Sequence, residues 1–319
     1  MKKHNFNAGP SVLADEVIEN AAKAVLDFNG SGLSLLSISH RSKDFDAVMA
    51  EADALFRELL HIPDNYKIFY IGGGASTMFY EVPANFLGKK AGYVNTGVWS
   101  KKAIKEAKRY GEVEILATSE DRNFTYIPKG FAIPSDLDYL HITSNNTIYG
   151  TKYNYIPDTG DIPLVADMSS CILSEPVDVT KFGVIYAGAQ KNVAPAGLTI
   201  VIVREDMLRD DLPDFVPTVC SYKVMAENGS MYNTPPCYPI YICKLVLEWI
   251  KSLGGLEAMK EINKRKADKL YACLEKSRLF SNPVAKECRS MMNVTFRAES
   301  DDMNAKFVKE SAAAGFQNL

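Results

Sequence analysis

The sequence predicts an α/β protein, with a large domain on a mostly parallel seven-stranded sheet and a smaller α+β domain after it. Three observations carry that expectation. Short apolar runs alternate with stretches of helical periodicity over the first two thirds of the chain, the runs are apolar on both faces, and helical patterns dominate after residue 240. At 319 residues the chain exceeds what one hydrophobic core usually fills. Two units are therefore expected, at residues 15–240 and 241–319, with residues 1–14 packing on the smaller one.

The elements follow in order. Phe45, Val48, Met49, Ala52, Leu55, Phe56, Leu59 and Leu60 recur at helical spacing, with Ser42 placed to cap the helix and Asp44 in its first turn. A strand at 67–71, a Gly-Gly-Gly turn at 72–74 and a helix at 75–86 come next. Strands are then predicted at 91–94, 113–117, 139–143, 164–168, 184–187 and 199–203, with a helix at 100–110. Two helices at 239–253 and 256–276, a strand at 292–296 and a helix at 303–314 make up the smaller unit. Gly315 reads as a C-cap, and residues 316–319 read as the beginning of a strand that is not completed.

Composition excludes several classes of function. The chain is 47% hydrophobic and 24% charged, ordinary for a globular protein, and its formal net charge of -3 gives no reason to expect a nucleic acid or an anionic membrane as partner. No apolar run reaches membrane-spanning length and no signal sequence is apparent, so the cytoplasm is the default location. Six cysteines without a Cys-x-x-Cys pair read as reduced thiols, and four histidines without ligand spacing argue against a metal site.

The residues that can carry chemistry gather where apolar strands end. Lys191 lies in a loop of small residues, Tyr186-Ala-Gly-Ala-Gln-Lys-Asn-Val-Ala-Pro-Ala-Gly197, between two almost wholly apolar strands. A partly desolvated amine there loses basicity and becomes a carbonyl nucleophile and proton shuttle, although a loop lysine taken alone is more often simply solvated. Asp167 ends the strand Leu164-Val-Ala-Asp167, where a carboxylate can pair with a ring nitrogen or merely cap the following turn. The Gly72–Thr77 turn opens a helix and suits phosphate, but it lacks the residues of a nucleotide loop, and a plain tight turn competes with that reading. Trp99, just ahead of the predicted 100–110 helix, can stack on a flat ligand or fill core. His40 and Arg41 precede a helix, where the arginine can fork onto a carboxylate or phosphate, or cap a carbonyl.

Several segments together resemble the phosphoserine aminotransferase family, a branch of the class V, fold-type I pyridoxal-phosphate enzymes. They are Phe6-Asn-Ala-Gly-Pro10, Ser39-His-Arg-Ser-Lys-Asp-Phe45, Tyr186-Ala-Gly-Ala-Gln-Lys-Asn192, Pro195 to Asp206, and Asn228-Gly-Ser-Met-Tyr-Asn-Thr-Pro-Pro236. The resemblance implies that pyridoxal 5'-phosphate is held as a Schiff base on Lys191, with Asp167 on the pyridine nitrogen, Trp99 on the ring and Thr147 near its 3-oxygen. It also implies that Ala75, Ser76 and Gln190 hold the phosphate, that His40 and Arg41 bind the substrate anion, and that Asn233 and Thr234 reach the cofactor of the other subunit of a homodimer. The implied reaction transfers the amino group of L-glutamate to 3-phosphohydroxypyruvate, giving O-phospho-L-serine and 2-oxoglutarate. Some bacterial members of the family also make 4-phosphohydroxy-L-threonine for pyridoxal-phosphate synthesis, and the sequence does not decide between one substrate and two.

One departure from the family pattern bears on activity. The family's His-Arg pair and the Gly-Gly-x-Arg-Ala-Ser segment beyond it have no counterpart in the sequence, so this polypeptide is expected to bind cofactor yet transaminate poorly. Within the same class, an alanine-glyoxylate aminotransferase or a cysteine desulfurase is the competing reading, although no cysteine lies in a convincing mobile loop. Outside it, a cofactor-binding but inactive partner protein competes.

Overall fold

A computed structural model describes residues 3–319. In chain order the elements are β1 (His4–Asn5), α1 (Asp15–Leu26), α2 (Lys43–Leu60), β2 (Tyr66–Gly73), α3 (Ala75–Phe86), β3 (Lys90–Asn95), α4 (Val98–Ala107), β4 (Glu112–Thr118), β5 (Tyr139–Thr143) and the short hairpin β6 (Asn145–Asn146) and β7 (Thr151–Lys152). They continue with β8 (Leu164–Asp167), β9 (Val184–Gly188), β10 (Gly197–Arg204), α5 (Tyr222–Glu227), α6 (Cys237–Ser252), α7 (Gly255–Lys276), β11 (Phe280–Ser281), β12 (Arg297–Ala298), α8 (Asp301–Ala313) and β13 (Phe316–Gln317).

The main sheet has seven strands in the order β2-β10-β9-β8-β5-β3-β4, and only β10 runs against its neighbours. The carboxyl ends of β2, β3, β5, β8 and β9 consequently share one edge. Every residue of β5, β8 and β9 is buried, because helices cover both faces. Leu140, Ile142, Leu164, Ala166, Ile185 and Ala187 pack on the side of α1, α2 and α6. Tyr139, Val165, Val184 and Tyr186 pack on the side of α3, α4 and α5. Alternation along each strand thus assigns successive side chains to two different cores.

Local chemistry sets the helix ends. The Ser42 Oγ accepts from the Phe45 amide at 3.3 Å, Asp44 and Asp46 occupy the first turn of α2, and His61 closes it in the left-handed conformation at φ 51°. The helix α4 starts at Val98, ahead of the predicted start at 100, because the Ser100 Oγ accepts from the Thr96 and Gly97 amides at 2.9 and 3.0 Å. Trp99 therefore sits inside the first turn of α4 instead of preceding the helix.

The strand predicted at 292–296 does not form. The amides of Met292 and Asn293 are taken by the Ser290 Oγ, both at 3.0 Å, and the Thr295 carbonyl by the Asn282 side chain. With its main chain engaged by side chains, the segment has no ladder to join. Its apolar residues Val294 and Phe296 instead pack beside Ala267, Tyr271 and Leu274 of α7, and only Arg297–Ala298 pairs with Phe280–Ser281. Residues 316–317 do form a strand, but its partner is the start of the chain: β13 lies parallel to β1, with His4 opposite Phe316.

One buried group on α3 gives the fold a pH dependence. Glu81 is 5% exposed and its Oε2 has no partner. Burial pushes its carboxyl up to about 8 from 4.5, which the Tyr222 and Tyr80 hydroxyls offset only in part. The folded protein keeps this proton where the unfolded chain loses it, so the stability is complete below pH 4.5 and is lost as pH rises toward about 8. Glu81→Gln, which keeps the shape without ionising, is expected to raise Tm at pH 8 by about 5 °C or more and to change it little at pH 4.5, measured by thermal unfolding.

Candidate active site

The shared strand edge assembles the site. Asp167 is the last residue of β8, and the carboxyl end of β9 leads through Ala189 and Gln190 to Lys191. The end of β5 leads into the β6–β7 hairpin, whose tip carries Thr147; the end of β3 leads to Trp99; and the end of β2 leads through three glycines to Ala75. A crevice at the carboxyl ends of parallel strands is where open α/β sheets bind ligands.

Lys191 stands at the centre. Its Nζ donates to the Thr147 Oγ1 at 2.6 Å and lies 5.4 Å from the centroid of the Trp99 ring. Burial lowers the basicity of this amine, while the charge of Asp167 pulls it back only partly. The amine therefore gives up its proton more readily than a solvated lysine.

Asp167 is 5% exposed, and its Oδ1 accepts from the Ser169 amide at 2.9 Å and the Ser169 Oγ at 2.6 Å. The Ser169 Oγ in turn accepts from the Gly188 amide at 3.0 Å, which ties the carboxylate to the end of β9. Burial raises the Asp167 pKa, and Ser169, Lys191 and Tyr186 oppose it. Ser169 escaped the sequence reading, although an Asp-x-Ser spacing is a local signal for this kind of hydrogen bond.

Three features fit a flat anionic ligand such as the one the resemblance implies. The helix α3 begins at Gly74 with no side-chain cap, so its first amides and its positive end are free for an anion. A Cβ on Gly188 would lie 2.9 Å from the Gln190 Oε1 and 3.0 Å from the Ala75 amide, so only glycine leaves that corner open. The Gln190 Oε1 and Trp99 Nε1 are buried with no partner in the protein. An anionic ligand can fill the Trp99 donor, and it would meet Gln190 through the Nε2 of the side-chain amide, not through this acceptor oxygen.

The start of the chain covers Lys191. The Ser11 amide donates to the Gln190 carbonyl at 2.9 Å and the Ser11 hydroxyl to the Lys191 carbonyl, and a Cβ on Gly9 would come within 2.9 Å of the Lys191 Cγ. The Thr147 hairpin is pinned by the Asn145 Nδ2, which donates to the Ser170 Oγ and to the Asn293 Oδ1, both at 2.7 Å.

Lys191, Asp167, Thr147, Trp99, Gln190 and Ala75 are thus brought to one edge, and Ser76 stands exposed on the first turn of α3. His40, Arg41, Asn233 and Thr234 are not joined to that cluster by any hydrogen bond, ion pair or ring contact among the described residues. Arg41, Asn233 and Thr234 are exposed, whereas the His40 Nε2 is buried and unpartnered.

Comparison with known proteins identifies the family. The family model described as Aminotransferase class-V matches residues 3–315. The phosphoserine aminotransferase of Bacteroides fragilis is 53% identical over 321 residues, covering 100% of this chain and 90% of that protein, and that of Listeria monocytogenes is 52% identical over 319 residues, covering 99% and 87%. Among solved structures, the phosphoserine aminotransferase of Bacillus circulans subsp. alkalophilus superimposes with a TM-score of 0.97 at 44% identity, covering 100% of this chain and 89% of its own. A PLP-bound phosphoserine aminotransferase from Trichomonas vaginalis gives 0.95 at 36% identity, covering 100% and 92%. The chain belongs to the phosphoserine aminotransferase family of class-V aminotransferases.

Proposed function

We propose that this protein is a pyridoxal-phosphate-dependent aminotransferase that moves the amino group of L-glutamate to 3-phosphohydroxypyruvate, forming O-phospho-L-serine and 2-oxoglutarate in serine biosynthesis. The observation that carries the reading is the Lys191 amine, partly desolvated, 2.6 Å from the Thr147 hydroxyl, 5.4 Å from the centroid of the Trp99 ring and under the electrostatic influence of Asp167. Pyridoxal phosphate, when bound, supplies an electron sink that makes the Cα proton of an attached amino acid acidic.

The residues supply the rest. Lys191 would hold the cofactor through its Nζ, and the same nitrogen, when free, would take up and return the Cα proton of the substrate. Its lowered basicity suits both tasks. The Asp167 carboxylate, held by Ser169, keeps a proton on the ring nitrogen. Trp99 would cover the ring face, and the Ala75 and Ser76 amides at the start of α3, with the Nε2 of Gln190, would receive the phosphate.

His40 and Arg41 bind the substrate anions, and Asn233 and Thr234 reach the phosphate of the partner subunit's cofactor. The exposure of Arg41, Asn233 and Thr234 in a single chain is consistent with a site completed by a homodimer. We take the division at residue 240 into a large cofactor-binding unit and a smaller one as part of this reading; the β1–β13 pairing supports its one element that the start of the chain packs on the smaller unit. No helix among the described residues is long and apolar enough to cross a membrane, in keeping with a cytoplasmic enzyme.

The decisive measurement is a half-reaction. Phosphoserine added to the cofactor-loaded protein is expected to convert its visible absorption to that of pyridoxamine phosphate, while alanine and cysteine leave it unchanged. Conversion by alanine or cysteine instead assigns one of the related class-V activities. No conversion by any of the three, by this polypeptide or by one that also carries the family's His-Arg and Gly-Gly-x-Arg-Ala-Ser segments, overturns the reading.

A further inference from the structure

Behind Asp167 lies a buried polar pair that the proposed chemistry does not use. Parallel pairing sets Tyr186 of β9 directly beside Asp167 and His141 of β5 beside Val165 and Tyr93. Asp167, Tyr186 and His141 occupy the same sheet face, and Tyr186 and His141 are 0% and 1% exposed. The Tyr186 hydroxyl lies 2.8 Å from the His141 Nε2. The imidazole ring stacks on Tyr93 with centroids 4.7 Å apart and planes 20° apart, and the Tyr93 hydroxyl is taken up by Tyr139 at 2.8 Å. The ring is clamped in one orientation, and its Nδ1 is buried without a partner.

That missing partner fixes the direction of the hydrogen bonds. Burial pushes the His141 pKa down to about 3 against the opposing effect of the residue's own backbone carbonyl, so the imidazole is neutral. A neutral ring has one N–H. That carbonyl makes no hydrogen bond of normal geometry with the ring, and a buried N–H without an acceptor costs more than an unfilled lone pair, which favours the proton on Nε2 and the lone pair on Nδ1. An Nε2–H can only donate to the tyrosine oxygen, which frees the Tyr186 O–H to donate elsewhere. Its strand neighbour on the same face is the Asp167 carboxylate, on which Tyr186 already exerts a lowering effect behind the closer Ser169 donors.

We propose that His141 and Tyr186 are positioning residues for Asp167: the His141 Nε2–H donates to the Tyr186 oxygen and turns the Tyr186 hydroxyl toward the carboxylate. The pair then adds a polarised donor that keeps a deeply buried carboxylate ionised and aimed at the ligand. This rests on Asp167 being the partner of the cofactor's ring nitrogen.

Full-length protein loaded with pyridoxal phosphate and carrying ¹⁵N-labelled histidine is expected to show His141 as the Nε2–H tautomer; an Nδ1–H ring overturns the proposal. Tyr186→Phe, which removes only the hydroxyl, is expected to lower kcat roughly fivefold, about the factor one neutral hydrogen bond is worth, with the KM for the amino donor unchanged. It is also expected to shift the pH midpoint of the cofactor's visible absorption. His141→Leu should match Tyr186→Phe, and His141→Gln, which retains a donor, should restore most of both losses. If His141→Leu does not fold, Tyr186→Phe and His141→Gln decide between them. Asp167→Asn separates the two claims: a cofactor spectrum indifferent to Asp167→Asn removes the site reading itself, whereas a spectrum that responds to Asp167→Asn but not to Tyr186→Phe removes only this proposal.

Discussion

Lys191→Ala is expected to abolish transamination, with kcat reduced by roughly three orders of magnitude or more, because one substitution removes both the attachment point and the proton carrier. The loaded variant should also lack the visible absorption of cofactor joined to a lysine. The fold should survive. Lys191 lies in a loop, and the bonds that anchor its backbone to Ser11 use main-chain atoms that alanine retains. The Thr147 hydroxyl loses a donor but sits in a half-buried hairpin. Circular dichroism and Tm are therefore expected to match the parent within a few degrees, while single-turnover assays with phosphoserine show no conversion. Retained turnover with intact absorption would refute the assignment of Lys191.

Asp167→Asn has the second-largest expected effect and a different signature. Asparagine keeps the shape and can still accept from the Ser169 amide and hydroxyl, so only the charge is removed. Loss of a preorganised buried charge at the reacting centre is expected to lower kcat by about two to three orders of magnitude. The effect on stability runs the other way. Burial raises the Asp167 pKa, so this carboxylate costs the folded state increasingly as pH rises above its unfolded value. Asp167→Asn should thus leave Tm unchanged at acid pH and raise it at neutral pH, a variant that is more stable and less active. A fall in Tm at neutral pH, or kcat within threefold of the parent, would contradict this account.

The parts of the fold that were legible in the sequence are those where burial alone determines structure. The runs Tyr139–Thr143, Leu164–Asp167 and Val184–Gly188 are apolar on both faces because helices cover both, and an aspartate ending such a run stands out. Lys191 was legible for a related reason: small residues surround it where a solvated loop would carry polar ones. Residues 292–296 were not legible. Their apolar alternation is real, but Ser290 and Asn282 occupy the main-chain groups a ladder needs, a tertiary matter that no periodicity encodes. Ser169, two residues from Asp167, carried a local signal, whereas the Gly9–Ser11 cover and the His141–Tyr186 pair were invisible for the same tertiary reason. Each acts through a partner fixed by strand register or by contact across 180 residues, as Ser11 does on Lys191.

The pairing of β1 with β13 turns the polypeptide into a closed mechanical loop. His4 and Phe316 are strand partners with rings stacked at 5.4 Å, and six residues further along from Asn5 the backbone is fastened to the Lys191 loop through Ser11. The last helix, α8, leads directly into β13. A rigid-body shift of that helix would act, through β1 and the few residues after it, on the backbone lying over the reactive amine. A substrate that moved the C-terminal layer would be pulling on the cover of Lys191 without touching it.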